Sequence, residues 1–162
     1  LPWEVIEKVI DHSSEHTRAL CNLALTCRQL HPRSSLVLFN HVQLERRQQL
    51  FVFCDVLQAQ PNFRSIVRSL TIRLEEFSPF PLLSILPDLR SITFFGYKNF
   101  PRPRRFTSIH GSTLHCCRQF GRGLRSLTFR GVRFRHCTAF VRFITAFSGL
   151  QDLVCDDVQI WE

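Results

Sequence analysis

One six-residue phrase occurs four times in this chain, and it restricts the possible folds more than any other feature. The copies are residues 68–73 (RSLTIR), 90–95 (RSITFF), 125–130 (RSLTFR) and a divergent 151–156 (QDLVCD). Within each copy apolar and polar residues alternate, which is the pattern of a β-strand with one buried face. The copies begin 22, 35 and 26 residues apart. The sequence therefore predicts four strands joined by connections long enough to contain helices.

The connections between the copies contain helix-like segments. These are residues 81–86, 112–120 and 138–147, and a further helix is predicted at 48–60, before the first copy. A strand, a turn and a helix repeated about every 20–30 residues are the signature of a leucine-rich repeat. The predicted fold class is α+β, or an α/β repeat, with short parallel strands in an arc and helices on its outer side. The asparagine of the standard repeat is absent, so the repeats are irregular.

The polar positions of the four predicted strands form a candidate binding surface. In a repeat arc these positions face the concave side, where such folds bind partners. They are Ser69, Thr71, Arg73, Ser91, Thr93, Phe95, Ser126, Thr128, Arg130, Asp152, Val154 and Asp156. Arg73 and Arg130, with Phe95 between them in the arc, are predicted to make this surface cationic and aromatic.

A proline- and arginine-rich segment, residues 100–105, extends the cationic surface. It lies in the longest connection, and we predict that it is an exposed basic loop. The predicted target-binding residues are therefore Arg73, Phe95, Ser126, Thr128, Arg130, Arg102, Arg104 and Arg105. Arginine holds carboxylates and phosphates through paired hydrogen bonds, so these residues suit a protein target with an acidic or phosphorylated segment.

The formal net charge of +8 is confined to one region of the chain. Residues 89–151 contain twelve basic and no acidic residues, residues 1–88 contain nine of each, and residues 152–162 contain four acidic and no basic residues. A basic region of this kind is also typical of nucleic-acid-binding proteins. A nucleic-acid-binding protein, or a repeat scaffold that uses the basic region 89–151, is therefore the alternative function. For any single arginine, a solvated position on the outside of a repeat is the plainer interpretation.

The residues before the repeats have a helical pattern. Apolar residues at helical spacing predict one helix over residues 1–13 and a second over 16–30. Pro32 is expected to interrupt the second helix, and residues 33–39 to form a third short turn. Three helices in about forty residues make a very small core. Such a unit gains stability by burying its remaining apolar face against a partner.

An ordered set of short motifs lies within this helical region. It consists of LPxEVIxxVI at residues 1–10, with IDH at 10–12, LxxL at 20–23, CRxL at 27–30, PRS at 32–34 and LF at 38–39. The set resembles the F-box, and it is especially similar to the F-box of the large fungal families in which irregular leucine-rich repeats follow. The resemblance implies an F-box at residues 1–44 and a repeat region at residues 45–162.

The resemblance also implies a partner and a function. An F-box binds the Skp adaptor of a cullin–RING ubiquitin ligase, so the chain would be the substrate-recognition subunit of that ligase and not itself an enzyme. The residues at the adaptor-binding positions are Leu1, Pro2, Val5, Ile6, Val9, Leu20, Leu23, Cys27, Leu30 and Phe39. Leu30 stands where the family often has Trp, and the smaller side chain buries less area in the adaptor contact. The alternative is that these residues form only the core of a helical unit.

The cysteines and the apolar segments indicate the compartment. Seven cysteines are present, and no pair is spaced C-x-x-C. Several lie within apolar segments, which predicts free thiols and an intracellular protein, cytoplasmic or nuclear. No apolar segment approaches the roughly 20 residues of a membrane span, so we expect no membrane contact. The chain contains no Met, so we expect it to be a fragment. The repeats end at Trp161 and Glu162 without an evident cap, so we expect further repeats beyond residue 162.

Metal and catalytic sites have little support in the sequence. Zinc ligands would have to come from His110, His115, Cys116, Cys117, His136 and Cys137. Adjacent residues on a helix or strand point in different directions, so this set is a poor chelate, and we predict no metal and no cofactor. Arg118 is expected to lower the pKa of Cys116, but nothing orients a general base beside that thiol. A glycine-rich phosphate loop is also absent, so a non-catalytic protein is predicted.

Overall fold

A computed structural model describes residues 2–74, 78, 80–96 and 111–161 of the chain. The protein is α+β, and within those residues it contains seven α-helices and two β-sheets, one of five strands and one of two. It divides into two compact units, Leu1–Val42 and Gln43–Glu162, whereas the sequence analysis put a boundary after residue 44. The longest helix in the described ranges has 13 residues, and none of these helices combines the length and apolar character of a membrane span.

The first unit consists of three short helices. They are α1 (Trp3–His12), α2 (Thr17–Thr26) and α3 (His31–Asn40). Ile10, Leu20 and Val37, one from each helix, form its buried core. Four partly buried side chains pack against that core: Ile6, Leu23, Leu30 and Leu38. A core of this size buries little apolar area, so we expect a charge at any of these positions to unfold the unit.

The bounds of α2 and α3 differ from the sequence prediction. α2 ends at Thr26 and not near residue 30, because Cys27 is extended, with φ −155° and ψ 161°. α3 begins at His31 and has Pro32 in its first turn. Proline is tolerated there because a first-turn N–H has no acceptor within the helix. The prediction that Pro32 interrupts a helix is therefore wrong, since it lies at the start of a complete one.

The second unit alternates helices and strands. Its helices lie close to the four segments predicted as helical, and they are α4 (Arg47–Ala59), α5 (Phe80–Ile85), α6 (Gly111–Phe120) and α7 (Cys137–Ile144). The strands of the chain are β1 (His41–Leu44), β2 (Ser69–Arg73), β3 (Ser91–Phe95), β4 (Ser126–Arg130), β5 (Arg133–Phe134), β6 (Asp152–Asp156) and β7 (Gln159–Ile160). Two short 3-10 turns, Pro61–Ser65 and Gly121–Gly123, precede β2 and β4.

The four copies of the repeated phrase form four strands of the larger sheet. The strand order is β1-β2-β3-β4-β6, and the pairs β2–β3, β3–β4 and β4–β6 are parallel. Ser69 pairs with Ser91, Ser91 with Ser126, and Ser126 with Asp152. Each position of the phrase therefore forms a row across the sheet. The prediction of four short parallel strands at the repeated phrase is confirmed.

Apolar side chains close one face of this sheet. Two fully buried rows cross it, Leu70, Ile92 and Leu127 in one and Ile72, Phe94 and Phe129 in the other. α7 covers part of this face, since Phe143 lies 5.4 Å from Phe94 and 6.0 Å from Phe129 between ring centroids. Contacts between aromatic rings add to the free energy gained by burying them. Part of the core of the second unit therefore lies between the sheet and α7, and buried residues of α4, α5 and α6 also contribute to that core.

A residue with positive φ comes before each strand of the two-stranded sheet. The residue after β4 is Gly131, with φ 63°, and the residue after β6 is Asp157, with φ 53°. Both lie in the left-handed region, which glycine adopts freely and aspartate tolerates. Each precedes a two-residue strand, and these strands, β5 and β7, pair in parallel. The sequence analysis did not predict them, because two residues are too few to show a period.

The connection between α7 and β6 passes close to another part of the backbone. A Cβ atom at Gly149 would lie 2.3 Å from the carbonyl oxygen of Arg122. That separation is well inside van der Waals contact, so glycine is required at this position unless the backbone moves. Gly149 thereby lets the chain that enters β6 pack against the turn that enters β4.

Candidate partner-binding surfaces

Two valines of α1 are exposed on the first unit. Val5 is 40% exposed and Val9 is 58% exposed, and their spacing of four residues puts them on one side of the helix. Ile10 is turned into the core and is buried. α1 therefore buries one apolar side and leaves a second apolar side in solvent. Apolar side chains exposed together in this way mark a candidate docking surface.

The other residues at the adaptor-binding positions fall into a buried and an exposed group. Leu20 is buried, and Ile6, Leu23 and Leu30 pack against the core. Pro2 and Cys27 are exposed, and Phe39 is half-buried. Leu1 lies outside the described residues. Leu20 and the three partly buried residues hold the helices together, so the exposed members and the two valines of α1 are the side chains most accessible to a partner.

Sequence reasoning missed the most exposed large apolar side chain in the described residues. Leu25, near the end of α2, is 83% exposed. Trp3 and Leu36, on the other two helices of the unit, are also exposed. Leu20 and Leu23 of α2 face the core, and Leu25 lies on a different side of the helix, so helical spacing did not identify it. A large apolar residue on the side of an amphipathic helix that does not face the core is the signal that would have identified Leu25.

A bidentate ion pair joins α1 to α3. Nε of Arg33 donates a hydrogen bond to Oδ1 of Asp11 at 2.8 Å, and a terminal nitrogen of Arg33 donates another to Oδ2. The hydrogen bond from Arg33 lowers the pKa of Asp11 below its usual range, because it favours the charged carboxylate. Asp11 belongs to the IDH motif and Arg33 to the PRS motif. A direct contact therefore links these two motifs and orients α1 on α3.

The second face of the larger sheet is polar, and we name it the open face. Its residues are Ser69, Thr71, Arg73, Ser91, Thr93, Phe95, Ser126, Thr128, Arg130, Asp152, Val154 and Asp156. The open-face residues on β2, β3 and β4 are half-buried, except Arg130, which is exposed. The open-face residues on β6 are all exposed. On β2, β3 and β4 the first two rows carry only hydroxyl side chains, serines in one row and threonines in the other. These strand positions share one face as predicted, and their role in target binding remains a prediction.

The third row of the open face carries most of its charge. The row runs from Arg73 through Phe95 and Arg130 to Asp156. The guanidinium of Arg73 lies 5.0 Å from the centroid of the Phe95 ring, so a cation–π contact holds it over β3. Arg130 is exposed, and it forms no ion pair with any residue that the structure describes.

The charges of the open face balance. Arg73 and Arg130 contribute two positive charges on β2 and β4, and Asp152 and Asp156 contribute two negative charges on β6. The sign therefore reverses across the sheet, from β2 towards the edge strand β6. The predicted basic loop would add Arg102, Arg104 and Arg105 to the cationic side, but these three residues lie outside the described ranges.

The cysteines of α6 are buried thiols. Cys116 is 1% exposed and Cys117 is fully buried. Burial raises the pKa of Cys117 to about 12 and also raises the pKa of Cys116, because removal from water disfavours the thiolate. The expectation that Arg118 lowers the pKa of Cys116 is therefore wrong. In the described ranges no group of three or more His, Cys, Asp and Glu side chains could hold a metal ion.

No family model, no curated protein and no solved structure matches this chain. The described residues present two candidate partner-binding surfaces. One is the exposed apolar side of α1, with Val5 and Val9, and the other is the open face of the sheet. Each lies within a single compact unit of the chain.

Proposed function

We propose that the chain is the substrate-recognition subunit of a Skp–cullin–F-box ubiquitin ligase. The first unit is an F-box and binds the Skp adaptor, and the second is a region of irregular leucine-rich repeats whose open face binds a target protein. Covalent linkage of the two units keeps the target at a high effective concentration near the components that transfer ubiquitin. Catalysis belongs to those components, so this chain is not an enzyme.

The exposure of Val5 and Val9 is the observation that carries the proposal. The core of the first unit is already closed by Ile10, Leu20 and Val37, so the two valines are not needed for its packing. Burying them against a partner would release apolar area from water, with a gain of about 25 cal/mol per Å². Both valines belong to the motif set that resembles the F-box. Exposure and sequence resemblance thus support the same docking surface.

The open face supports a protein target more than a nucleic acid. Its serine and threonine rows offer donors and acceptors to a peptide backbone, and Arg73 over Phe95 offers a fixed cation to an acidic or phosphorylated side chain. Asp152 and Asp156 would repel a continuous polyanion along the same face. A target segment with an acidic group near Arg73 and a basic group near Asp156 fits these charges best.

Binding to a purified Skp adaptor tests the first part of the proposal. The chain should be retained on immobilised adaptor under conditions in which an established F-box protein is retained. Absence of retention by the folded chain would contradict the assignment of an F-box. The double variant Arg73→Gln/Arg130→Gln should bind the adaptor like the wild type, because both residues lie in the second unit.

Selection of peptides tests the second part. Immobilised wild-type protein should enrich peptides with Asp, Glu or phosphoserine from a random 12-residue library, and the Arg73→Gln/Arg130→Gln variant should lose that enrichment. Arg118→Gln/Arg142→Gln is the matched control, because it removes the same charge from exposed positions on α6 and α7. Equal selection by the two variants would contradict a target site on the open face.

Nucleic-acid binding or a scaffold role is the alternative function. Eight of the twelve basic residues in 89–151 lie in the described ranges, and none of these eight forms an ion pair with a described residue. This uncompensated charge favours a polyanion. Salt-sensitive binding of RNA or DNA that is lost when Arg102, Arg104 and Arg105 become Ser would support nucleic-acid binding. Partner capture that survives deletion of residues 1–44 would support a scaffold.

A further inference from the structure

The first position of the repeated phrase forms a row of three arginines. Arg68, Arg90 and Arg125 each precede a strand, and backbone hydrogen bonds place them side by side. The N–H of Arg90 donates to the carbonyl of Arg68 at 2.9 Å, and that of Arg125 donates to the carbonyl of Arg90 at 2.8 Å. Gln151 takes the fourth position, since its N–H donates to the carbonyl of Arg125. The three cations are therefore in register at the N-terminal ends of β2, β3 and β4.

This arginine row is distinct from the open face. Arg68, Arg90 and Arg125 lie just before β2, β3 and β4, whereas Arg73 and Arg130 are the last residues of β2 and β4. All three arginines of the row are exposed. Each follows a buried apolar residue, and these are Val67, Leu89 and Leu124. The backbone under the cations is therefore fixed on both sides, by the core before it and the strand after it.

Nothing in the described ranges neutralises the row. None of the three arginines forms an ion pair or a side-chain hydrogen bond with a described residue, and Asp88, two residues before Arg90, forms no ion pair there either. Neighbouring strands lie roughly 4.8 Å apart, so the outer two cations are about 10 Å apart at the backbone. Like charges side by side in a sheet are destabilising. A ligand that carries several negative charges would relieve this repulsion.

The spacing of the row fits an acidic helix. Carboxylates at i, i+4 and i+7 of an α-helix lie on one side, and at 1.5 Å per residue they span about 10.5 Å. In an extended peptide, side chains on one face are roughly 6.7 Å apart, so three of them span about 13 Å. Proteins that bind single-stranded nucleic acid interleave aromatic rings with the cations, and the row itself contains only Arg and Gln.

We propose that the arginine row is a second docking site, which binds a protein partner through an acidic helix with carboxylates at i, i+4 and i+7. Each arginine can hold one carboxylate through paired hydrogen bonds. The site is independent of the adaptor surface and of target binding on the open face, so it would stand if either of those assignments failed.

Fluorescence anisotropy with designed helical peptides tests this proposal. One peptide carries Glu at i, i+4 and i+7 on an Ala- and Gln-rich background. A second has the same composition with its Glu residues on different sides of the helix, and a 12-nucleotide RNA is the third probe. The row variant is Arg68→Gln/Arg90→Gln/Arg125→Gln, and Arg118→Gln/Arg135→Gln/Arg142→Gln is a control with the same change in charge at exposed positions.

The first peptide should bind the wild type and the control variant alike, and it should bind the row variant about tenfold more weakly or worse. Replacement of the row by lysine should give intermediate affinity, because lysine keeps the charge but loses the paired hydrogen bonds. This second variant also guards against a folding defect in the first. Equal loss in the row and control variants, equal binding of the two peptides, binding of RNA in preference to both, or no binding at all would each overturn the proposal.

Discussion

The guanidinium of Arg33 forms a bidentate contact with the carboxylate of Asp11, 22 residues earlier in the chain. The two residues belong to motifs that the sequence analysis treated as separate marks of one family. The structure gives these motifs a physical connection, because the contact fixes α1 against α3. The orientation of α1 in turn decides that Val5 and Val9 are exposed while Ile10 is buried. The ion pair is thus a positioning element for the candidate docking surface.

We expect Asp11→Asn to lower thermal stability at neutral pH and to have no effect in strong acid. The contact with Arg33 lowers the pKa of Asp11 in the folded chain, so it stabilises the fold above the unfolded pKa of about 3.9. That contribution is lost as the pH falls through the folded pKa. The effect is expected to be small, because both side chains are more than a third exposed.

Thermal unfolding of the wild type and the variant at several pH values measures this difference. The double variant Asp11→Asn/Arg33→Gln should be no less stable than the more damaging single variant, because both remove the same contact. A destabilisation by Asp11→Asn that persists unchanged below pH 3 would contradict the account.

Ser34→Ala should stabilise the first unit. The side chain of Ser34 is fully buried, and its hydroxyl has no hydrogen-bond partner within the described residues. Removing a buried hydroxyl without a partner should gain up to about 1 kcal/mol in the free energy of unfolding. Ser35→Ala in the same helix is the comparison, because it makes the same change in helix propensity but removes a hydroxyl that has a partner, His31, at 3.5 Å. Denaturant unfolding should therefore rank Ser34→Ala above Ser35→Ala, and the reverse order would be incompatible with an unsatisfied hydroxyl.

Gly149→Ala should destabilise the second unit by about 2 kcal/mol. The added Cβ would lie 2.3 Å from the Arg122 carbonyl oxygen, and backbone yields less readily than the end of a side chain. Gly111→Ala is the matched control, because a Cβ at Gly111 meets nothing within 4 Å. Chemical denaturation of the two variants compares them directly. Equal stability would show that the backbone around Gly149 relaxes at no cost.

Gly131→Ala should destabilise the turn between β4 and β5 by about 1–2 kcal/mol, because its φ of 63° is in the left-handed region. Gly131→Asn should cost less, since asparagine tolerates that conformation. The naturally occurring Asp157 at the equivalent position after β6, with φ 53°, already indicates this tolerance. The midpoint of thermal unfolding should therefore fall in the order wild type, Asn, Ala. A reversed order of the two variants would argue against a requirement for positive φ.

The strands were predictable because one phrase repeats. In each copy the apolar residues alternate with polar ones. The apolar residues share one face of the sheet only when Leu70 pairs with Ile92 and Ile92 with Leu127, so burial of that face fixes the register. The same alternation predicted the residues of the open face. Helical spacing likewise predicted α1 and α2 within a few residues, whereas the third segment was expected only as a short turn after Pro32 and is the complete helix α3. These features depend on the spacing of apolar residues along the chain, which a single sequence shows.

Other features depend on tertiary contacts and were not predictable from period. The sequence analysis named no partner for Arg33, because nothing local relates it to Asp11. The pKa of Cys116 was assigned the wrong direction, since proximity to Arg118 in sequence said nothing about burial. Leu25 was not identified because the helical spacing of α2 points to the core residues Leu20 and Leu23, and Leu25 is not on their side of the helix. The repeated phrase already put Arg68, Arg90 and Arg125 at one position of the repeat, but the backbone hydrogen bonds that place them side by side depend on strand pairing.

The affinity of the chain for a purified Skp adaptor, measured by titration calorimetry, tests the central claim most directly. Val9→Asp and Val52→Asp form a matched pair, because both valines are 58% exposed and lie on helices of different units. We predict that the wild type and Val52→Asp bind alike and that Val9→Asp binds about tenfold more weakly or worse, since it buries a charge without a partner. Equal affinity of the two variants, or no binding by the folded wild type, would contradict the account.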